Sequence, residues 1–306
     1  MAPKVAILLG CYNGAKYIRE QLDSIKHQEY TNWCLYASDD GSTDGTIDIL
    51  KEYQRRWGEG RLVILDGPRQ GFCINFLGMA CDPKMVADYY AFCDQDDVWL
   101  PQKLAVAVDY LQKQNSSIPQ VYGGRTIYTD ISQKEVGRSR KFIYPCSFRN
   151  ALVQSIAGAN TIVFNHTAKF LLEKIGPVKV ISHDWWLYII VQGVGGRFYF
   201  DMDPYILSRQ HPGALIGANI TLLGQLKRFV LLMKGAYKKW NNENIRVLLS
   251  IKDLLEPHHR DVLEEFNRLR ESSLQHRIRM LNVCGFYRQG WHGSIALFIG
   301  ALFKRL

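Results

Sequence analysis

No two of the seven cysteines in this 306-residue chain are spaced as C-x-x-C; they are Cys11, Cys34, Cys73, Cys81, Cys93, Cys146 and Cys284. An odd number without paired spacing argues against a disulfide framework and against a structural zinc set. Several sit in apolar runs, as Cys93 does after Tyr89-Tyr90-Ala91-Phe92, and read as buried, reduced thiols. Neither G-x-G-x-x-G nor a P-loop occurs, which argues against a dinucleotide enzyme and a P-loop NTPase. No stretch reaches the ~18 apolar residues that span a bilayer. The first apolar run, residues 5–9, is too short for the core of a secretory signal and reads as a strand. Repeats and low-complexity tracts are also missing. These absences lead us to expect a cytoplasmic globular protein, and 47% hydrophobic with 22% charged residues is the balance of one.

Acidic residues are scarce in one part only. Residues 220–306 hold 15 Lys+Arg against 7 Asp+Glu, whereas residues 1–219 hold 23 against 22. The first two-thirds is nearly neutral and the tail carries almost all of the +9 net charge. We therefore divide the chain at 219/220 into an α/β unit and a basic, mostly helical extension.

Strand and helix signals alternate through the first unit. Runs at 5–9, 33–37, 62–65 and 89–93 read as buried parallel strands. Ile18, Leu22 and Ile25 recur at helical spacing, as do Ile47, Leu50, Tyr53 and Trp57 after possible caps at Ser42 or Thr43. Residues 72–80 read as a short helix, and Pro101 opens another carrying Leu104, Val108 and Leu111. Four β-then-α units predict an α/β fold with a mostly parallel sheet flanked by helices. Gly123-Gly124 and the polar stretch 132–140 read as turns and a mobile loop, 161–164 and 197–200 as strands, 185–191 as a buried helix. Helical periodicity runs from Leu222 to the end.

Five motifs carry chemistry. Asp94-Gln95-Asp96-Asp97 follows a buried strand, where open α/β sheets bind ligands. Three carboxylates in four residues repel one another, and a hard cation such as Mg²⁺ or Mn²⁺ relieves that; a solvated acidic turn is the plain alternative. Asp39-Asp40-Gly41-Ser42-Thr43-Asp44-Gly45 follows the second strand; Asp40 can accept from a nucleobase or ribose, or the segment is a turn and helix cap. After the first strand, Cys11-Tyr12-Asn13-Gly14 offers a ring to stack on a base, or is an ordinary βα turn. In Ser182-His183-Asp184-Trp185-Trp186, Asp184 can be a general base with Trp185 and Trp186 as walls for a sugar acceptor. Equally, Asp184 can be a cap and the tryptophans core. In Ser208-Arg209-Gln210-His211, Arg209 can pair with diphosphate, and His211 can ligate metal or be structural.

In this order the motifs resemble inverting glycosyltransferase family 2, over roughly residues 4–215. The strings Phe92-Cys93-Asp94-Gln95-Asp96-Asp97-Val98-Trp99 and His183-Asp184-Trp185-Trp186 are similar to its bacterial rhamnosyltransferase-like branch. The resemblance implies the Rossmann-like GT-A fold and Mg²⁺ or Mn²⁺ as cofactor. It implies that Cys11, Tyr12, Asn13, Asp40, Asp94 and Arg209 bind the donor nucleotide, that Asp94, Asp96 and His211 face the metal, and that Asp184 is the catalytic base. Its partners would be a nucleotide-sugar and a glycan acceptor, lipid-linked, in surface polysaccharide synthesis. Pro212-Gly213-Ala214 departs from the small polar residues the branch often has there, which puts the donor-closing loop in doubt.

In the tail, Lys227, Arg228, Lys234, Lys238 and Lys239 interleave with Phe229, Leu231, Leu232, Tyr237 and Trp240, and residues 291–306 are apolar before Lys304-Arg305. Such segments can lie on an anionic membrane, or form a helical subdomain or dimer contact. No nucleic-acid-binding module is visible. Two rivals remain for the whole chain. A sugar nucleotidyltransferase would show a glycine-rich basic loop near the first strand, and a non-catalytic sugar-binding module would not need Asp184 beside the Asp94/Asp96 pair.

Overall fold

The computed structural model describes residues 2–210, 230 and 234–306. Its centre is a nine-stranded sheet whose path runs β3 (Leu62–Asp66), β2 (Trp33–Asp39), β1 (Val5–Cys11), β4 (Tyr89–Cys93), β8 (Val163–Asn165), β6 (Gln120–Thr129), β9 (Arg197–Arg209), β5 (Val98–Trp99), with β7 (Glu135–Arg138) paired to β6. The four strands β3-β2-β1-β4 are parallel throughout. Beyond β4 the sheet is mixed: β8 is antiparallel to β4 and β6, while β9 is parallel to β6.

Strand alternation sorts the side chains to two faces. Val5, Ile7, Leu9 and Cys11 of β1 join Ala91 and Cys93 of β4 in one apolar cluster, and Ala6, Leu8, Tyr90 and Phe92 join the other. The first cluster is covered by α1 (Ile18–Lys26), α2 (Thr46–Trp57) and α4 (Lys103–Gln112), through Leu22, Leu50 and Leu104 among others. The second is covered by α3 (Phe72–Ala80), α5 (Phe148–Ala151), α6 (His166–Ile175) and α7 (His183–Gly193). Both faces of the strands are dry, which is why they read as unbroken apolar runs.

The C-terminal helices α8 (Ala236–Ser250), α9 (Pro257–Glu271), α10 (Leu274–Cys284) and α11 (Trp291–Leu302) extend that second cluster: Val262, Leu263, Phe266, Leu269 and Leu297 belong to it together with Trp186 and Leu187 of α7. The 219/220 division lies outside the described residues, as do Lys227, Arg228, Phe229, Leu231 and Leu232. Tyr237 and Trp240 are half-buried, with rings 4.8 Å apart and Trp240 against the core, so on α8 the aromatics face inward.

Three expectations need correcting. Gly123-Gly124 is not a turn but the middle of β6; a Cβ on Gly123 would meet the Phe198 ring at 2.8 Å, so the glycine admits the neighbouring strand's side chain. The stretch 132–140 is not a loop throughout, since 135–138 pair with β6. The cap of α2 is neither Ser42 nor Thr43: the helix starts at Thr46, whose N–H and hydroxyl both donate to Asp44 Oδ1 (3.2 and 2.6 Å).

Candidate active site

The parallel register sets the site. Leu9 pairs with Cys93 and Cys11 with Asp39, so the segments leaving β1, β2 and β4 emerge side by side at the carboxyl edge. That edge holds Tyr12-Asn13, Asp40 and Asp94-Gln95-Asp96. Gln95 ties two of the segments together: its Oε1 accepts from Tyr12 N–H (2.9 Å) and its Nε2 donates to Tyr12 C=O (2.8 Å). Gly14 makes room for this clamp, because a Cβ there would sit 2.1 Å from Gln95 Oε1. The Tyr12 ring remains 59% exposed, free to stack on a planar ligand.

The acidic residues after β2 are largely consumed by the backbone. Asp39 accepts from the N–H of Gly41 and Ser42 (3.1 and 2.8 Å) and from the Ser42 hydroxyl. Asp40 accepts from the N–H of Arg69 (2.5 Å) and Gly71 (2.9 Å), fastening the loop after β3. Asp44 accepts from Ala15 N–H and from Thr46. Burial pushes the Asp44 carboxyl up, but those hydrogen bonds outweigh it and hold it below its ordinary value. Asn13, at φ 49°, accepts from Thr43 N–H and its own N–H donates to Ser42 Oγ. Asn13 therefore acts on the loop, and Cys11 is turned into the core with 2% exposure, its carbonyl taken by Asp40 N–H. Cys11 is thus buried, whereas Asn13 is exposed with its Oδ1 engaged by Thr43.

The cluster after β4 differs. Asp94 is half-buried and its carboxyl is pushed well up, by burial first and then by the negative charges of Asp97, Asp96 and Asp184. Asp97 is 3% exposed and is also raised, by burial and Asp96, although Asn160 Nδ2 and the Ser208 hydroxyl donate to it. Behind it Lys103 is buried with Nζ 3.5 Å over the Trp99 ring; burial lowers it to about 7, opposed by Cys93 and Asp97. The Asp94 interaction brings Asp184, remote in sequence, to the same edge. Asp184 lies in the first turn of α7, raised by burial against hydrogen bonds from the Ser182 hydroxyl and Trp185 N–H.

His183 holds that turn in place. It stacks on Phe76 (4.1 Å, 16°), meets Phe92 edge-on (4.6 Å), and neither ring nitrogen has a partner among the described residues. Burial lowers it to about 3, so it is a neutral anchor for α7. Leaving such a polar group unpaired costs about 1–3 kcal/mol, and ring contacts of about 0.5–1.5 kcal/mol each offset it. Trp185 and Trp186 do not wall an acceptor site: they are 6% and 0% exposed, and Trp185 Nε1 donates to Ala151 C=O (2.7 Å). Phe72, 39% exposed, has its ring 6.1 Å from His183, and the Cys73 thiol is raised by burial and then by the charge of Asp184.

Arg209 also differs from expectation. It is 4% exposed, 2.5 Å from Glu20 and 4.7 Å over the Tyr17 ring, so in this structure it pairs with α1 rather than opening to the cleft. His211 lies outside the described residues. Among the described residues, no three His, Cys, Asp or Glu side chains form a ready metal cage. Gln95, His183 and Arg69, whose side chain lies over Gly41, were given no role by sequence reasoning, and Asp97 was counted in its acidic cluster without a role of its own. Only the adjacency of Gln95 and Asp97 to Asp94 and Asp96, and of His183 to Asp184, hinted at them.

The mostly parallel sheet flanked by helices, with acidic segments at its carboxyl edge, is a GT-A glycosyltransferase fold. The sequence model of glycosyl transferase family 2 matches residues 6–172, and the chain belongs to that family. It is 30% identical over 241 residues to the dTDP-rhamnosyl transferase RfbG of Shigella flexneri, covering 76% of this chain and 81% of that one. Its fold is similar to that of S. aureus TarS residues 1–349 in complex with UDP-GlcNAc (TM-score 0.55, 15% identity, 98% and 81% covered). It is similar also to that of the mannosyltransferase PcManGT of Pyrobaculum calidifontis in complex with GDP-Man and Mn²⁺ (0.50, 16%, 100% and 86%).

Proposed function

We propose that the protein inverts the anomeric centre of a nucleotide-sugar as it transfers the sugar to a hydroxyl of a lipid-linked glycan in bacterial surface polysaccharide synthesis. The first donor to test is dTDP-rhamnose, from the likeness to the Shigella enzyme, followed by UDP-sugars. The observation that supports this reading is that Asp184, in the first turn of α7, lies near enough to Asp94 for its charge to be among those that push the Asp94 carboxyl up.

Asp184 accepts the proton of the acceptor hydroxyl while that oxygen attacks the anomeric carbon. The bond from that carbon to the diphosphate oxygen breaks, and its electron pair leaves with the nucleoside diphosphate. The upward shift of Asp184 suits a base near neutral pH. In-line attack needs no enzyme nucleophile. Tyr12 stacks on the base and Asp40 receives one of its N–H groups on a remaining lone pair. The hard oxygens of Asp94 and Asp96, in a cluster whose charges repel, fit Mg²⁺ or Mn²⁺, which takes one or two carboxylates and completes its shell from phosphate and water. When bound, the ion would offset charge on the leaving diphosphate. His211 is proposed to join it. Arg209 reaches the diphosphate only if it leaves Glu20.

The test is to incubate the protein with Mg²⁺ or Mn²⁺ and a panel of nucleotide-sugars and to measure nucleoside diphosphate release. One donor should stand out, with release lost on EDTA and in Asp96→Ala. Binding of a donor without release, with and without acceptor glycans, would instead identify a sugar-binding module.

A further inference from the structure

Helix α11 is apolar on two opposite sides. Leu297, Gly300 and Ala301 are buried. Trp291, Ile295, Phe298 and Leu302, spaced by four, three and four residues, fall on the other side; the first three are 65%, 48% and 41% exposed. Among the described residues nothing covers this stripe. A second exposed apolar pair lies next to its first turn: Ile143 is 72% and Tyr144 45% exposed. Gln289 fixes the pair there, its Oε1 accepting from Tyr144 N–H (3.0 Å) and its Nε2 donating to Tyr144 C=O (2.7 Å). Between the two lies a hollow lined by Arg140, Lys141, Phe142, Gln289, Trp291 and His292.

We propose that this face, the outer stripe of α11 with Ile143 and Tyr144, docks on an anionic lipid bilayer. Charge selects the occupant. Residues 272–306 contain five Lys+Arg and no Asp or Glu, and 136–146 add three Lys+Arg and no acid; of these Arg277 is buried on backbone carbonyls and Arg138 pairs with Glu135. Arg140, Lys141, Lys304 and Arg305 are exposed. Apolar side chains at the acyl boundary, with cations beside them at the phosphates, is the arrangement an interfacial segment needs. A second copy seated on the same face would set this basic rim against itself. The face is also joined to the catalytic side. Tyr287 OH and C=O bond Ser147 Oγ (2.8 Å) and Asn150 Nδ2 (2.9 Å), and Ala151 next to them receives Trp185, the neighbour of Asp184. The inference takes its purpose from the proposed lipid-linked acceptor, and its test does not use the reaction.

Flotation of the full chain with vesicles of phosphatidylcholine alone, or with phosphatidylglycerol added, reads it out. The protein should float with the anionic vesicles and be released by salt. Trp291→Ser with Ile295→Ser should lower the bound fraction roughly tenfold. Arg140→Gln with Lys141→Gln should lower it several-fold and blunt the salt dependence. These side chains are exposed, so both variants should keep the wild-type melting temperature and donor hydrolysis, and a failure of docking stays separate from a failure of the enzymatic reading. No flotation of the wild type, or equal flotation of the Trp291/Ile295 variant, overturns the proposal. So does a wild-type dimer that Ile295→Ser converts to monomer, which would make a second copy the occupant.

Discussion

The two strands that flank β1 both end in acidic segments, and the two segments do opposite things. After β2, Asp39, Asp40 and Asp44 are bound by backbone N–H groups and hydroxyls of three loops. After β4, Asp94 and Asp97 are raised by burial and by each other's neighbours, and Asp184 joins them from α7. The first group uses its charge to knit the edge of the sheet. In the second, among the described residues, Asn160, Ser208 and Arg209 only partly oppose the upward shift of Asp97, and the cation and proton transfer proposed above would draw on the charge that remains. A string of aspartates after a buried strand is therefore ambiguous until the donors around it are known.

The largest expected effect separates the base from both groups. Asp184→Asn should lower turnover by about 10²–10⁴-fold while leaving donor affinity near wild type by calorimetry. Near-wild-type turnover would remove Asp184 from the chemistry.

Next comes the knot. Asp40→Asn turns an amide N–H toward the N–H of Arg69 or Gly71, and one unsatisfied donor should cost about 1–3 kcal/mol of stability in urea melts. An unchanged midpoint would break the contrast by showing that the β2 acids are dispensable to the fold. Asp94→Asn should do the reverse. Removing one of the repelling charges should leave the midpoint at neutral pH unchanged or higher, even though turnover falls.

The smallest effect is in pH, and its sign differs between the groups. Asp94, Asp97 and Asp184 have folded pKa values above their ordinary 3.8, so their contribution is full below that value and is lost as pH rises toward neutrality. Asp44 is lowered, so its contribution is present above 3.8 and is lost as pH falls below it. Melting temperatures between pH 4 and 8 should therefore fall more steeply in the wild type than in Asp94→Asn. Added Mg²⁺ should restore part of that loss in the wild type and not in Asp96→Ala. Parallel curves for all three proteins would show that the β4 cluster is no more strained than the β2 one.

Much of the architecture was legible in the residues. Strands buried on both faces must be apolar at every position, so 5–9, 33–37, 62–65 and 89–93 declare themselves, and the structure extends β1 by Gly10-Cys11, β2 by Ser38-Asp39 and β3 by Asp66. The motifs that carry the family likeness sit at those ends, where a parallel sheet opens. What sequence could not tell was which polar atom meets which. Trp185 and Trp186 have the composition of a sugar-stacking wall and the position of a core, and only the packing of α7 against Ala151 turns them inward. Arg209 faces Glu20 because β9 ends beside α1, a pairing across 189 residues. Gly123-Gly124 reads as a turn by local propensity, but Phe198 on the adjoining strand needs its space. Sequence by itself determined the alternation of elements and the order of the chemical motifs, because burial and capping are local demands on residue type. Tertiary structure alone decided that Asp184 comes near enough to Asp94 for their charges to interact, that Asp40 is held by two amides, and that one side of α11 is left bare among the described residues, because each depends on partners brought together from distant parts of the chain.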